Sequence, residues 1–278
     1  MLEWLLESHR TMDIHNSQVN YPKYQNHSVF EEIKHMMSYY EGVSDTCYCF
    51  MATGVSGIGN YDSYVFMSMR ATLDSIQTLL KSGQITDAFI LIRKFFDSVL
   101  VDLYIDVVRK EKFDVFDNLI VEDVENWIKK RHRIPSLKRI LSILQHSDAT
   151  KDLYPFFGWE TYLKHNRDLL DDDVHSNRYI SMLMNCRELV LEGREKRLDN
   201  ASIILKQVFL VHLSFIFFLN SHFMMATDYL DYLEMGMTPP EGSEHWMAPY
   251  AQQAFDHYIK PHTELAFFIK EHCCLDID

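Results

Sequence analysis

At 278 residues, with 47% hydrophobic and 13% aromatic side chains, the chain can bury a sizeable core, which excludes disorder over most of its length. Nine Gly and seven Pro are too few to punctuate a turn-rich β architecture, so long helices are expected. A formal net charge of -13 repels phosphate backbones and disfavours non-specific nucleic-acid binding.

The opening MLEWLLESHR carries acidic residues where a signal peptide needs basic ones, and its apolar run is short. A cytoplasmic protein is therefore expected. Residues 2–6 suggest a short helix, followed by a polar stretch containing Pro22. A helix over 28–41 follows, with Ser28 at the cap, Glu31 in the capping-box position and Gly42 as its stop. Residues 47–51 are a short apolar run that periodicity assigns neither to strand nor to helix. Gly54, Gly57 and Gly59 then crowd together before Asn60 or Asp62 caps the next helix. A glycine-rich loop entering a helix can cradle phosphate, but no Lys-Ser/Thr follows, so a hinge or tight turn is the plainer reading. Residues 1–60 are thus expected to form an N-terminal extension, and 61–278 one helical-bundle domain.

Ser82 and Gly83 make a tight connection between helices over 61–81 and 86–111, an antiparallel hairpin. Phe89, Ile92, Phe96, Val99 and Leu103 trace a core-facing stripe, flanked by Arg93 and Asp97 at the spacing of a surface salt bridge. Helices are predicted over 113–131, over 135–145 with Pro135 in the first turn, over 159–172 and over 178–192, with a break at Ser176 and Asn177. A long apolar helix over about 200–235 should form the centre of the bundle. Its segment 208–226 approaches a transmembrane composition, but His212, Asn220 and His222 interrupt it; a buried core helix is expected, and no membrane. TPPEGS at 238–243 is a loop, and Pro261 should kink or split a last helix over 248–272. The fold class is all-α.

Chemistry-bearing residues concentrate in KHNRDLLDDDVHSN, residues 164–177. On a helix, Arg167, Asp171 and His175 share one side. Asp171 would orient the imidazole while Arg167 offers a planar donor fork to phosphate. That set suits metal-independent cleavage of RNA, with His175 taking the 2′-hydroxyl proton. Asp168, Asp172 and His175 form a second face that would bind a divalent ion only with a carboxylate from elsewhere. The plainer alternative is a solvated acidic helix end, although three Asp there oppose the helix dipole. Lys129, Lys130, Arg131 and Arg133 make the densest basic patch, a nucleic-acid contact or simply a basic helix end. The spacing of the five Cys fits neither a disulfide framework nor a zinc site, so no metal and no cofactor are expected.

Arg167 and Asp168 followed by His175, late in a helical domain, resemble the Arg-polar-(x)-His signature of the HEPN superfamily, small helical bundles found in RNA-cleaving toxins and phage-defence proteins. The 61–111 hairpin and the DVHSN ending are similar to helical families placed near it, and the resemblance covers roughly residues 60–235. It implies a homodimer, RNA as a candidate substrate, and a metal-independent ribonuclease with Arg167, Asp171 and His175 as catalytic residues. Arg139 and His146 also satisfy the signature and are the second choice, whereas Arg10 and His15 lie outside any convincing bundle helix. The competing expectation is a non-enzymatic helical binding or regulatory protein whose acidic His/Asp cluster contacts a partner protein.

Overall fold

The computed structural model describes residues 17–50, 61–113 and 121–278. The expected helix over 2–6, the pair Arg10 and His15, the glycine loop, the Asn60 cap and residues 114–120 lie outside them. Among the described residues the chain is all-α: no strand forms, and isolated bridges join Met225 to Met247 and Trp246 to Asp276.

After a single turn at Pro22–Gln25, α1 is Val29–Phe50. Ser28 accepts from the N–H groups of Glu31 and Glu32, and those two acids sit in the positive first turn. The helix does not stop at Gly42. A Cβ there would lie 2.6 Å from the Tyr250 ring, so this glycine admits a close neighbour and is not a helix terminator. Helices α2, Tyr61–Ser82, and α3, Ile85–Lys112, meet at Gly83, whose φ of +82° lets Gln84 N–H reach back to the Leu79 carbonyl at 2.9 Å.

The helix expected over 113–131 is described only as α4, Glu122–Ile128, with three acids in its first turn. Helix α5, Leu137–His146, begins after Ser136, leaving Pro135 outside the first turn. A π turn at Trp159–Leu163 leads into α6, Lys164–Val174. The helix expected over 178–192 is only α7, Tyr179–Leu183. Beyond it, Arg194 draws the Met184, Cys186 and Leu189 carbonyls onto its guanidinium, so they are not aligned along a helix axis.

The long apolar helix is α8, Arg194–Leu219, in place of 200–235. It ends at Asn220 because the chain there turns to pair with 246–248: Ala226 N–H donates to Trp246 O and Ala248 N–H to Met224 O, both at 2.8 Å. Among the described residues α8 is long and apolar enough to cross a membrane, and 72% of its most apolar stretch is buried within the fold. Helices α9, Asp228–Glu234, α10, Pro249–Ala254, and α11, Thr263–His272, complete the chain; a π turn at Phe255–Ile259 and Pro261 split the last predicted helix.

Two compact units emerge. Of the described residues, the first comprises 17–37, 70–97 and 158–208, and the second 38–50, 61–69, 98–113, 121–157 and 209–278. The first buries Phe30, Ile33, Ile76, Phe89, Ile92, Leu170 and Leu205. The second is aromatic: Tyr39, Tyr40 and Phe209 meet edge to face, and Tyr258 stands over Phe209 at 4.7 Å between centroids.

Candidate functional sites

In the first unit, the predicted constellation is partly assembled. Arg167 Nη1 donates to Asp171 Oδ2 at 3.2 Å, as the one-turn spacing allows. The other oxygen, Oδ1, accepts from Arg93 Nε of α3 at 2.7 Å. Arg93 also pairs with Asp97, and Arg167 Nε lies 3.8 Å from Asp97 Oδ1. Arg93, Asp97, Arg167 and Asp171 therefore alternate in sign and close into a neutral quartet. His175 is not part of it. It caps the C-terminus of α6, its backbone N–H donates to Asp171 O at 3.0 Å, and its ring is exposed.

Two of the three remaining acids of the cluster are also matched. Asp172 pairs with Arg178 and accepts from Asn177 at 3.2 Å. Asp173 is buried and accepts from Arg197 Nη2 at 2.6 Å, and that guanidinium lies 3.8 Å from the Phe89 ring centroid. Asp168 is exposed. Among the described residues no three His, Cys, Asp or Glu side chains are grouped to hold a metal ion.

Arg139 and His146 are both exposed on α5, and the imidazole Nδ1 sits 2.8 Å from the Ser142 carbonyl of its own helix. Lys129, Lys130, Arg131 and Arg133 are exposed where α4 ends. Lys129 is its C-cap, Lys130 adopts a φ of +57°, and Arg131 N–H closes the end onto Asn126 O at 2.7 Å. Their charges face the negative pole of α4.

The second unit holds a polar centre that the sequence reading did not assemble. His212 Nε2 lies 2.9 Å from Asp102 Oδ2, and its Nδ1 lies 2.7 Å from the Tyr40 hydroxyl. Tyr61 Oη donates to Asp102 Oδ1 at 2.9 Å. Arg109 Nη1 donates to both oxygens of Asp62, at 2.6 and 2.8 Å, and stands 3.8 Å from Asp106. Burial pushes Asp102 up to about 7 and Asp106 well above the ordinary carboxylate range, with neighbouring carboxylates adding to both. Burial also holds the His212 imidazole neutral, down to about 3. A neutral ring offers one donor and one acceptor; Nε2–H donating to Asp102 and Nδ1 accepting from Tyr40 satisfies both. For Arg109, burial opposes the charge, but Asp62 and Asp106 outweigh it and keep the guanidinium firmly protonated.

A sequence signal for this centre existed. Asp102 and Asp106 extend the apolar stripe Ile92, Phe96 and Val99 at three- and four-residue steps, where a core helix should be apolar. His212 likewise interrupts the most apolar run of the chain.

Comparison with protein families, curated proteins and solved structures finds no match to this chain.

Proposed function

We propose that the chain is a non-enzymatic helical binding protein, and that it associates with a second copy of itself through the surface of α6 and α7. The observation that carries this reading is the inverted polarity of α7. Tyr179 and Met182 are 63% and 59% exposed and Ile180 is exposed beside them, whereas Ser181 is buried and its carbonyl accepts from the Thr86 hydroxyl. Val174, just before, is exposed as well. Single exposed apolar residues are ordinary, but four within nine residues are characteristic of an interaction surface, and Tyr and Met are favoured there.

Charge argues for a second copy over a basic partner. The chain carries -13, yet three of the four Asp of this segment are matched: Asp171 by Arg93 and Arg167, Asp172 by Arg178, Asp173 by Arg197. Identical faces can meet here without strong like-charge repulsion, and a two-fold axis would present the same apolar residues twice. A ribonuclease of the HEPN type would instead need Arg167 to leave two carboxylates for phosphate, and His175 to act without Asp171 orienting it.

Sedimentation velocity at micromolar concentration tests this reading. A dimer is expected for the native chain, and a monomer with unchanged circular dichroism for the double variant Tyr179→Ser, Met182→Glu. A native monomer, or a variant that still dimerises, would overturn it. Single-stranded RNA incubated in EDTA should stay intact. Cleavage that leaves 2′,3′-cyclic phosphate ends and disappears in both Arg167→Ala and His175→Ala would install the enzyme reading instead.

A further inference from the structure

The second unit encloses three carboxylates around one guanidinium. Asp62 lies at the start of α2, and Asp102, Asp106 and Arg109 follow one another along α3; the three Asp are all at least 96% buried. Arg109 is committed first to Asp62, at 2.6 and 2.8 Å, and is 3.8 Å from Asp106. Tyr61 and His212 serve Asp102. Asp106 has the Asn220 amide beside it, but neither of its oxygens receives a well-aligned hydrogen bond. Tyr39, Tyr40 and Cys47 of α1 and His222 after α8 stand around it as well, and none of them supplies positive charge: burial disfavours ionisation of the phenols, of the thiol and of both imidazoles, while Lys110, near His222, is exposed. One cation therefore faces three carboxylates in a medium that penalises every uncompensated charge.

We propose that this cluster is a proton-operated lock: Asp106 keeps its carboxyl proton at neutral pH, and loss of that proton to solvent loosens the helix segments that build the centre. The carboxylic acid O–H breaks and leaves a carboxylate without a cation of its own, one helical turn from Asp102. The segments affected are the start of α2, the second half of α3 and the end of α8.

The sign of the pH effect follows from the partners. Asp102 and Asp106 hold protons in the folded chain that the unfolded chain gives up near 3.8, so their stabilisation is complete below that pH and is lost as pH rises through the folded values. His212 works oppositely, because its folded value of about 3 lies below the ordinary 6.5; it favours folding increasingly as pH rises to 6.5 and adds no slope above. His212 and Asp102 therefore largely cancel in mildly acidic solution. Above pH 6.5 His212 adds nothing, and the slope comes from Asp106 and, until it gives up its proton around 7, from Asp102.

Urea unfolding of the full chain from pH 6.5 to about 8.5 reads it. One proton retained only by the folded state raises the unfolding constant by up to about tenfold per pH unit. The native chain and the surface control Asp74→Asn, at an exposed position of α2, should share that slope, and Asp106→Asn, which cannot ionise, should lose most of it. Equal slopes for the native chain and Asp106→Asn would overturn the proposal. Should Asp106→Asn fail to fold, unfolding of the native chain in weak buffer near pH 7 should release about one proton per molecule. Release of none would also overturn it.

Discussion

Arg93 and Asp171, 78 positions apart in sequence, are joined by a 2.7 Å hydrogen bond from guanidinium Nε to carboxylate Oδ1. The bond ties α3 to α6 within the first unit and accounts for the conformation of the Asp-rich segment. Asp171 is engaged by two arginines, one at each oxygen, and His175 caps the helix end through its backbone N–H. Three Asp in the last turns of a helix oppose its dipole, and arginines of the same unit, two of them from α3 and α8, offset that cost.

Replacing Arg93 with Met should therefore destabilise the chain by about 1–3 kcal/mol, since it leaves Asp97 and Asp171 to share Arg167. Asp171 is about one-third exposed, which keeps the cost below that of a fully buried pair. Arg93→Lys should recover only part of the loss, because one ammonium cannot reproduce a fork that reaches two carboxylates. Urea unfolding of the three proteins measures this. Native stability for Arg93→Met would show that the quartet contributes nothing.

The helical class was legible because Phe89, Ile92, Phe96, Val99 and Leu103 repeat at helical steps, and the hairpin because Gly83 falls between two such patterns. Ion pairs across the unit were not legible. The one-turn pairing of Arg93 with Asp97 is visible along the chain, whereas the bond from Arg93 to Asp171 depends on two helices meeting, which no local spacing encodes. Helix ends misled for a similar reason. Gly42 has the residue type of a terminator, but Tyr250, more than two hundred positions later, decides its role. Asp102 and Asp106 were readable in principle, since a charge on an apolar stripe either faces solvent or forms a buried site. Choosing between these requires Tyr61 and His212, which come from other helices.

Gly42→Ala should lower stability by about 1–2 kcal/mol. Alanine gains about 0.5–1 kcal/mol of helix propensity, but its methyl would lie 2.6 Å from Tyr250 ring carbons, and overpacking of that kind typically costs about 1–3 kcal/mol. The ring cannot simply swing away, because its hydroxyl bridges Thr46 at 3.0 Å and the Phe223 carbonyl at 3.1 Å. In a Tyr250→Ala background the same substitution should become neutral or stabilising. A double-mutant cycle with no coupling between the two positions would refute the close-approach account.

Ser176→Gly should stabilise by about 0.5–1 kcal/mol. Ser176 closes α6 with a φ of +52°, and Asn177 N–H returns to Asp172 O at 3.0 Å in the manner of a helix end built for glycine. A side chain in that left-handed conformation costs about 1–2 kcal/mol, partly offset by the greater freedom of glycine when unfolded. Thermal unfolding should show a higher midpoint for Ser176→Gly and a lower one for Ser176→Val. The reverse order would mean that the serine side chain earns its place at this end of α6.

Among the described residues, Arg194 heads the largest side chains that are completely buried, and it stands against backbone rather than against a carboxylate. Its two terminal nitrogens donate to four carbonyls: Gly83 at 3.3 Å, Met184 at 3.1 Å, Cys186 at 3.0 Å and Leu189 at 3.4 Å. Burial disfavours its charge, so the four acceptors must stabilise the guanidinium, and the guanidinium in turn holds residues 184–189 without a regular helix. Arg194→Met keeps the volume but leaves those carbonyls short of a donor, at about 1–3 kcal/mol for each one that water cannot reach. Arg194→Lys keeps the charge, yet its three donors on one atom cannot span four acceptors arranged for a planar group. Both variants should unfold at markedly lower urea concentration. Before global unfolding, amide hydrogens of residues 184–193 should exchange much faster than in the native chain, while those of residues 29–37, the part of α1 in the same unit, stay protected. Uniform acceleration through the whole unit, or none at all, would mean that Arg194 does not specifically pin this segment.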